Sequence, residues 1–387
     1  MPAFSIQCHL PQDARGSNTQ PASRYNPHVL PINLREFEAL AREKLPAATY
    51  DYVAGGAEDE VTLRANCDAF ERVLLRPRVL TGVSEPDLTT SVLGTTISLP
   101  VMLAPAGFHR LCCAEGEVAS ARAAAAAGTL LVASTMATVS LEATAAAAAG
   151  PLWFQLYIFR DRAITEALVR RAERAGYRAL CLTVDCVQAG RRERDIRSAF
   201  ALPPGLTLAN FSGASAAGMP SLAEGASLHA YTAGQYERAI AWSDIGWLRS
   251  ITTMPLVIKG ILTAEDASLA VEAGAAAIIV SNHGGRQLDG VPATIDVLEE
   301  CVEAVAGRAE VYVDGGFRRG ADVLKALAFG ARAVLVGRPY LWGLAYAGEA
   351  GAAQVFELLR EELRMAMLLA GVASAGSVPR ALVRMRP

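Results

Sequence analysis

The sequence predicts one closed parallel (β/α)8 barrel with a helical extension before it. Eight short apolar runs recur from residue 100 onwards, and most of them precede a segment of helical character. Buried strands that alternate with helices are typical of α/β folds, and eight of them favour a closed TIM barrel over an open, doubly wound sheet. The runs span residues 100–105, 130–134, 152–157, 179–185, 255–260, 276–282, 310–316 and 332–338.

Composition and charge exclude several classes of protein. The 387 residues, 52% hydrophobic and 19% charged, suffice for the core of one barrel of this kind. A net charge of −3 without a basic block argues against nucleic acid or an anionic membrane as a partner. No apolar run is long enough to span a membrane, and the first residues lack the pattern of a secretory signal. We therefore expect a cytoplasmic protein.

The cysteines favour a reducing compartment and no metal site. There are seven of them, which is an odd number, and no CxxC spacing occurs. Structural zinc and a disulfide framework are therefore not expected. The adjacent Cys112 and Cys113 could form a redox pair, but two buried thiols are the favoured interpretation.

The chain divides into a predicted flexible tail, residues 1–32, and a barrel domain, residues 33–387. A helix is predicted from Leu34 to Leu45 with Asn33 as its N-cap, and a second helix ends near Phe70. Further helices are predicted from Glu115 and over 161–175, 264–273 and 319–329, with a final amphipathic helix over 354–369. Between strands four and five lies a long loop, in which residues 203–230 are either a lid or a tolerated insertion.

Polar residues and glycines follow all eight predicted strands. Active sites of (β/α)8 barrels form at the carboxyl ends of the strands, so these residues should converge on one rim. In strand order they are Ala106 and Gly107; Ser134; Gln155 and Tyr157; Thr183 and Asp185; Lys259; Ser281 to Arg286; Asp314 to Gly316; and Gly337 to Pro339.

The last two strand ends predict a phosphate site. Gly315, Gly316 and Gly337 leave backbone N–H groups open, and Arg318 and Arg338 supply positive charge. One tight turn of this kind would not by itself predict a phosphate site. Two turns after adjacent strands, each followed by an arginine, favour a phosphate-bearing ligand.

Lys259 and His283 are the candidate reactive side chains. A lysine buried at the end of an apolar strand needs a partner. It could stabilise negative charge on a cofactor, serve as a Schiff-base amine, or simply extend to the rim. His283 could act as a general base beside Arg286, a carboxylate-binding guanidinium, with Asp185 fixing the imidazole tautomer. This combination suits an α-hydroxy acid.

Five segments resemble one enzyme family. They are LPAATYDYVAGGAEDE (45–60), FQLY (154–157), TVDCVQAGRRERDIR (183–197), SNHGGRQLDG (281–290) and VDGGFRRGADVLKALA (313–328). They are similar to the FMN-dependent L-2-hydroxy acid oxidases and dehydrogenases, a family that includes glycolate oxidase, lactate oxidase, mandelate dehydrogenase and hydroxymandelate oxidase. The resemblance extends from about residue 33 to about residue 375.

The resemblance implies FMN as cofactor and assigns expected roles to the rim residues. His283 would be the base and Asp185 its partner. Arg192 and Arg286 would bind the substrate carboxylate, and Tyr52 and Tyr157 would donate hydrogen bonds to the substrate. The expected FMN contacts are Lys259 at the N1–C2=O edge, Ala106 and Gly107 near N5, Ser134, Gln155 and Thr183 at the ring, Asp314 at the ribityl chain, and Gly316, Arg318, Gly337 and Arg338 at the phosphate. Ser281 is also expected to bind the cofactor.

Three departures from the glycolate oxidases predict a larger substrate pocket. Met136 stands where those enzymes have tryptophan, Gly107 where they have alanine, and Val53 where they have a second tyrosine. We therefore expect a mandelate-like or medium-sized side chain on the substrate rather than glycolate. Phe108 and His109 could line this pocket or pack in the core.

The predicted reaction is oxidation of an L-2-hydroxy acid to the 2-keto acid, with O2 reoxidising the flavin to give hydrogen peroxide. A dehydrogenase or monooxygenase of the same family is an alternative, because glycine at position 107 also occurs in such members. The sequence is also compatible with a phosphate-binding aldolase or isomerase, with another FMN barrel and with a non-catalytic flavin protein. By analogy with the family, a homotetramer is expected.

Overall fold

The computed structural model describes residues 30–211 and 234–386 of the chain. Its centre is a closed barrel of eight parallel strands, in which each strand pairs with the next and the eighth pairs with the first. This topology confirms the predicted fold class. The barrel strands, numbered one to eight in chain order, are Val101–Leu103, Leu131–Ala133, Leu152–Leu156, Leu180–Thr183, Leu256–Ile261, Ala277–Val280, Glu310–Asp314 and Ala333–Val336.

Both faces of the barrel strands are buried. This is why the sequence shows unbroken apolar runs rather than an alternation of polar and apolar residues. Met102, Val132 and Trp153 belong to one buried cluster, whereas their chain neighbours Val101 and Leu131 belong to another. Because successive side chains of a strand point to opposite faces, the two clusters are the barrel interior and the layer beneath the helices.

A hairpin that the sequence pattern does not predict covers the N-terminal end of the barrel. Val92 and Ile97 pack into the interior cluster. The Leu93 N–H donates a hydrogen bond to the carboxylate of Glu310, the first residue of strand seven, at 3.2 Å. The hairpin therefore closes the end of the barrel that lies opposite the carboxyl ends of the strands. Its two strands are Thr90–Val92 and Thr95–Ile97.

Helices precede and surround the barrel. Asn33 caps the first helix as predicted, because its side-chain oxygen accepts hydrogen bonds from the N–H groups of Arg35 (3.0 Å) and Glu36 (3.1 Å). No helix among the described residues is long and apolar enough to cross a bilayer. The helices are Leu34–Lys44, Ala47–Ala54, Val61–Arg72, Glu117–Ala126, Leu141–Ala147, Arg162–Arg174, Glu193–Arg197, Trp242–Ile251, Ala264–Glu272, Thr294–Val305, Gly320–Ala328 and Arg338–Ala370.

The last helix begins earlier than the sequence predicts. The prediction covers 354–369, whereas the helix Arg338–Ala370 starts directly after strand eight. It breaks at Gly348, whose φ of 59° is left-handed, so that it consists of two helical halves. Beyond it, Val383–Met385 pairs antiparallel with Val73–Leu75 and ties the end of the chain to the helical extension.

Two predicted features lie largely outside the described residues. They are residues 1–29 of the predicted tail and residues 212–230 of the predicted lid. In the part of the loop that the structure describes, Leu208 belongs to one buried cluster with Phe108. This part of the loop therefore forms an apolar wall at the carboxyl end of the barrel.

Candidate active site

The carboxyl ends of the strands line one cleft, as the barrel topology requires. Two residues expected at the site lie behind this lining, since Asp185 contacts His283 and Ser281 contacts Lys259. The other expected residues are in the lining itself. These are Tyr52, Ala106, Gly107, Ser134, Met136, Gln155, Tyr157, Thr183, Arg192, Lys259, His283, Arg286, Asp314, Gly316, Arg318, Gly337 and Arg338.

His283 and Asp185 form a hydrogen-bonded pair at the ends of strands six and four. The distance from His283 Nδ1 to Asp185 Oδ1 is 2.9 Å. This bond assigns the proton to Nδ1 and leaves Nε2 as the acceptor. Burial, together with the positive charges of Lys259 and Arg192, lowers the pKa of His283 below its ordinary value, although the Asp185 carboxylate raises it. The imidazole is therefore neutral at neutral pH and can act as a base.

A glycine makes room for this pair. The pairing of strands five and six shifts register between Lys259 and Ile261, and Gly260 between them has a φ of 115°. A Cβ atom on Gly260 would lie 2.7 Å from the Cβ of Asp185. The bulge therefore requires glycine for two reasons, its left-handed backbone and the close approach of Asp185.

Lys259 is held as a cation. Its Nζ lies 3.0 Å from Asp314 Oδ2 and 2.8 Å from Ser281 Oγ, and the residue is 3% exposed. Burial alone lowers the pKa of Lys259, but the carboxylates of Asp314 and Asp185 together raise it above its ordinary value. A lysine that stays protonated is a poor Schiff-base nucleophile, which argues against an aldolase.

The guanidinium groups of Arg192 and Arg286 both line the cleft. Arg286 donates hydrogen bonds to the carbonyl oxygens of Tyr52 (2.7 Å) and Gly55 (2.9 Å). Burial and the nearby charge of Arg192 lower the pKa of Arg286 to about 10. Among the described residues, no carboxylate lies within ion-pair distance of either guanidinium. An anion bound here would relieve the repulsion between the two cations.

The two expected tyrosines are packed against other rings. Tyr52 stacks on Phe200 with centroids 4.3 Å apart, and Tyr157 stacks on Tyr236 with centroids 4.5 Å apart. Burial raises the pKa of Tyr52 and raises that of Tyr157 further, so both hydroxyl groups remain protonated. Both can therefore donate hydrogen bonds to oxygen atoms in the cleft.

The turns after strands seven and eight have the form of a phosphate cradle. In the described part of the chain, no hydrogen bond uses the N–H groups of Gly315, Gly316 or Gly337. A Cβ atom on Gly316 would lie 1.9 Å from the carbonyl oxygen of Asn66, so only glycine fits there. The helix that begins at Arg338 directs its N-terminus at the same place, which favours an anion.

The guanidinium of Arg338 lines the cleft and is held by backbone carbonyl groups. Its guanidinium donates to the carbonyl oxygens of Val53 (3.1 Å), Gly284 (3.0 Å) and Gly55 (2.8 Å). These bonds use three of the five N–H donors of the guanidinium. The side chain therefore ties the helix of Tyr52 to the loop of His283, and its contact with the phosphate stays a prediction.

The residues present fit the FMN implied by the resemblance. Asp314 Oδ1 is buried without a hydrogen-bond partner, as expected for a carboxylate that awaits a hydroxyl donor. The Lys259 ammonium lies beside it, and the open N–H groups of the cradle need an anion. A hydroxylated chain between a polar ring edge and a phosphate would satisfy all three.

The three predicted departures all belong to the lining of the cleft. Gly107, Met136 and Val53 all line it, together with Phe108. His109 does not, because it is buried between Ser120 and Tyr340 outside the cleft. Of the two residues whose place the sequence leaves open, Phe108 thus lines the pocket and His109 packs.

Several lining residues have no signal in the sequence that points to the site. They lie in the long connection between strands four and five, so their positions depend on how that connection folds back over the barrel. The helix Ala47–Ala54, which carries Tyr52, is also not predicted, because it has eight residues and no side-chain cap. The additional lining residues are Cys186, Asp195, Ile196, Phe200 and Tyr236.

A barrel rim with this cradle, cation and base defines an α/β-barrel flavoenzyme. The family follows from comparison with known proteins. Residues 41–385 match the FMN-dependent dehydrogenase family. The chain therefore belongs to that family, and FMN is its cofactor.

The relatives are oxidases of 2-hydroxy acids. Glycolate oxidase 1 of Zea mays is 53% identical over 348 residues, which cover 90% of this chain and 94% of that protein. Glycolate oxidase of Spinacia oleracea is 51% identical over the same shares. A crystal structure of mandelate oxidase matches with 46% identity and a TM-score of 0.85, covering 92% of this chain and 98% of that one. The same enzyme with (S)-4-hydroxymandelic acid matches with 47% identity.

Proposed function

We propose that this chain oxidises an L-2-hydroxy acid to the 2-keto acid with bound FMN, and that O2 is the electron acceptor and hydrogen peroxide the second product. The observation that carries the proposal is the neutral His283 imidazole, held by the Asp185 carboxylate, in one cleft with two guanidinium groups that form no ion pair among the described residues. The names of the relatives, glycolate oxidase and mandelate oxidase, support the same reaction.

Different residues contact the carboxylate and the hydroxyl group of the substrate. Arg192 and Arg286 bind the carboxylate, and Tyr52 adds a neutral hydrogen bond to it. The 2-hydroxyl group then faces Nε2 of His283. Both routes of C–H cleavage, hydride loss and carbanion formation, place one substrate proton on this nitrogen. Asp185 stabilises the resulting imidazolium.

FMN, when bound, supplies the acceptor for the two electrons of the substrate. Lys259 holds a positive charge at the cleft that does not depend on the reaction, because its ion pair with Asp314 keeps it protonated. Such a preorganised charge stabilises any negative charge that develops nearby without reorganisation of the site. Tyr157 donates a hydrogen bond to the substrate oxygen.

The proposed substrate has a side chain larger than that of glycolate. Phe108, Met136 and Phe200 present apolar surface to the cleft, and Gly107 adds no side chain of its own. A substrate without a side chain would bury little of this surface. Each CH2 group that a larger substrate buries contributes about 0.8 kcal/mol to the free energy of binding. A mandelate-like or medium-sized aliphatic 2-hydroxy acid fits best.

An anaerobic titration followed by visible absorbance tests the proposal. We expect L-mandelate or a medium-chain L-2-hydroxy acid to bleach the flavin with a higher kcat/KM than glycolate. In air, one peroxide should form for each O2 consumed. A flavin that no 2-hydroxy acid bleaches would overturn the reaction, and a preference for glycolate would overturn the substrate class. Bleaching without reoxidation by O2 would instead indicate a dehydrogenase.

A further inference from the structure

A chain of three buried hydrogen bonds lies beside the cleft without lining it. His109, 1% exposed, has Nδ1 2.8 Å from Ser120 Oγ and Nε2 3.1 Å from the hydroxyl of Tyr340. The same Tyr340 hydroxyl lies 2.9 Å from the carbonyl oxygen of Ala104. The bonds thus connect the helix Glu117–Ala126, the start of the last helix and the end of strand one.

The directions of these bonds follow from what each atom can do. A carbonyl oxygen only accepts, so Tyr340 donates its single proton to Ala104. The Tyr340 oxygen must then accept from the Nε2–H of His109, and Nδ1 accepts from Ser120. A neutral imidazole satisfies every group in this chain. Burial lowers the pKa of His109, which agrees with a neutral ring.

The segment held by these bonds is part of the cleft. Residues 104–107 line it at the end of strand one. Phe108, directly after them, has a φ of 62°, a left-handed conformation that is strained for a bulky residue. A strained residue keeps its conformation only when its neighbours hold it, and here His109 is the next residue. Loss of its bonds would let Phe108 relax and move residues 104–107.

A buried carboxylate holds the same loop from the other side. Glu117, 0% exposed, accepts hydrogen bonds from the N–H groups of His109 (3.2 Å), Thr138 (2.9 Å) and Val139 (2.9 Å). It therefore joins the loops after strands one and two. With the backbone of His109 fixed by Glu117, its ring fixes the end of strand one through Tyr340.

We propose that Ser120, His109 and Tyr340 are positioning residues that hold residues 104–107 in the geometry needed for oxidation. None of the three touches the cleft. The effect on turnover rests on the proposed function, but the effect on the flavin environment does not. The hydrogen bonds of Ser120, His109 and Tyr340 are called the relay below. They also join strand one to the helix whose N-terminus forms part of the phosphate cradle.

Four variants test the relay. His109→Leu removes both side-chain bonds, and Tyr340→Phe removes the bond to Ala104. His109→Gln keeps a donor that can reach Tyr340. Tyr177→Phe is the matched control, because the Tyr177 hydroxyl donates to the carbonyl of Leu141 at 3.0 Å, in a buried position outside the cleft. It removes a bond of the same kind.

The relay predicts a split between kinetic constants. His109→Leu and Tyr340→Phe should each lower kcat by about tenfold or more with little change in KM, because a small displacement of the reacting geometry is costly while the arginines are untouched. The double variant should be no worse than either single one. His109→Gln should recover most of kcat, and Tyr177→Phe should lose thermal stability only.

A second measurement tests the relay independently of the proposed function. The visible circular dichroism of bound FMN should change in His109→Leu and Tyr340→Phe but not in Tyr177→Phe, whether or not any 2-hydroxy acid is oxidised. If wild-type protein oxidises none, the proposed function fails and this spectrum alone decides on the relay. The relay is overturned if His109→Leu behaves like Tyr177→Phe in both readouts, or if His109→Gln is as impaired as His109→Leu.

Discussion

At the scale of single residues, the site depends on charges that are fixed by their neighbours. His283 is neutral although it bonds to a carboxylate, because burial and the charges of Lys259 and Arg192 together outweigh the effect of Asp185 on its pKa. Lys259 is charged although it is buried, because Asp314 and Asp185 outweigh the effect of burial. One cleft thus holds a neutral base and a permanent cation.

The pH dependence of kcat/KM should report the base. The pKa of His283 is lowered from its ordinary value of 6.5. The active, neutral form therefore persists below pH 6.5, and kcat/KM should fall only as the pH drops through this lowered pKa. Because Asp185 raises the pKa of His283, Asp185→Asn should shift the acid limb to still lower pH and reduce the plateau. An acid limb above pH 6.5 in the wild type would contradict this account.

At the scale of elements, the strand ends place the reactive side chains, and a bulge in strand five adjusts their positions. Strand five carries Lys259 in regular register, and the bulge at Gly260 then opens space for Asp185 from strand four. The N-terminus of the last helix completes the phosphate cradle. A side chain at position 260 would collide with Asp185, which bonds to His283.

Substitution of Gly260 by alanine should disable the site. The new Cβ would displace Asp185, and a misplacement of this size can cost about 10²-fold in kcat/KM. Gly176→Ala is the control, since Gly176 has a similar φ of 85° but no atom within 4 Å of a new Cβ. That variant should lose only about 1 kcal/mol of unfolding free energy. Equal activity losses in the two variants would show that backbone strain, not Asp185, is responsible.

At the scale of the whole molecule, the eight apolar runs are enough to predict the barrel, and the barrel is enough to gather the strand-end residues. The sequence does not reveal residues such as Phe200 and Tyr236, whose positions depend on how a long loop folds back. It also does not reveal the hydrogen bonds of the Arg338 guanidinium, because the carbonyl groups that it binds come from segments far apart in the chain.

Cofactor binding should stabilise the whole barrel, because the cradle and Lys259 belong to strands five, seven and eight. A ligand at 100 times its Kd stabilises the folded state by about 2.7 kcal/mol, so added FMN should raise the Tm of the apoprotein. Arg318→Met should reduce this rise at equal FMN concentration. Riboflavin, which lacks the phosphate, should give a smaller rise. Equal effects of FMN and riboflavin would contradict the phosphate cradle.

The central claim is that His283 is the base of a 2-hydroxy acid oxidase, and anaerobic flavin reduction in His283→Ala tests it most directly. The variant should bind FMN with the wild-type spectrum. Its rate of reduction by the preferred L-2-hydroxy acid should fall by about 10²- to 10⁴-fold, the usual contribution of a general base. A variant that retains FMN and is reduced at the wild-type rate would contradict the account.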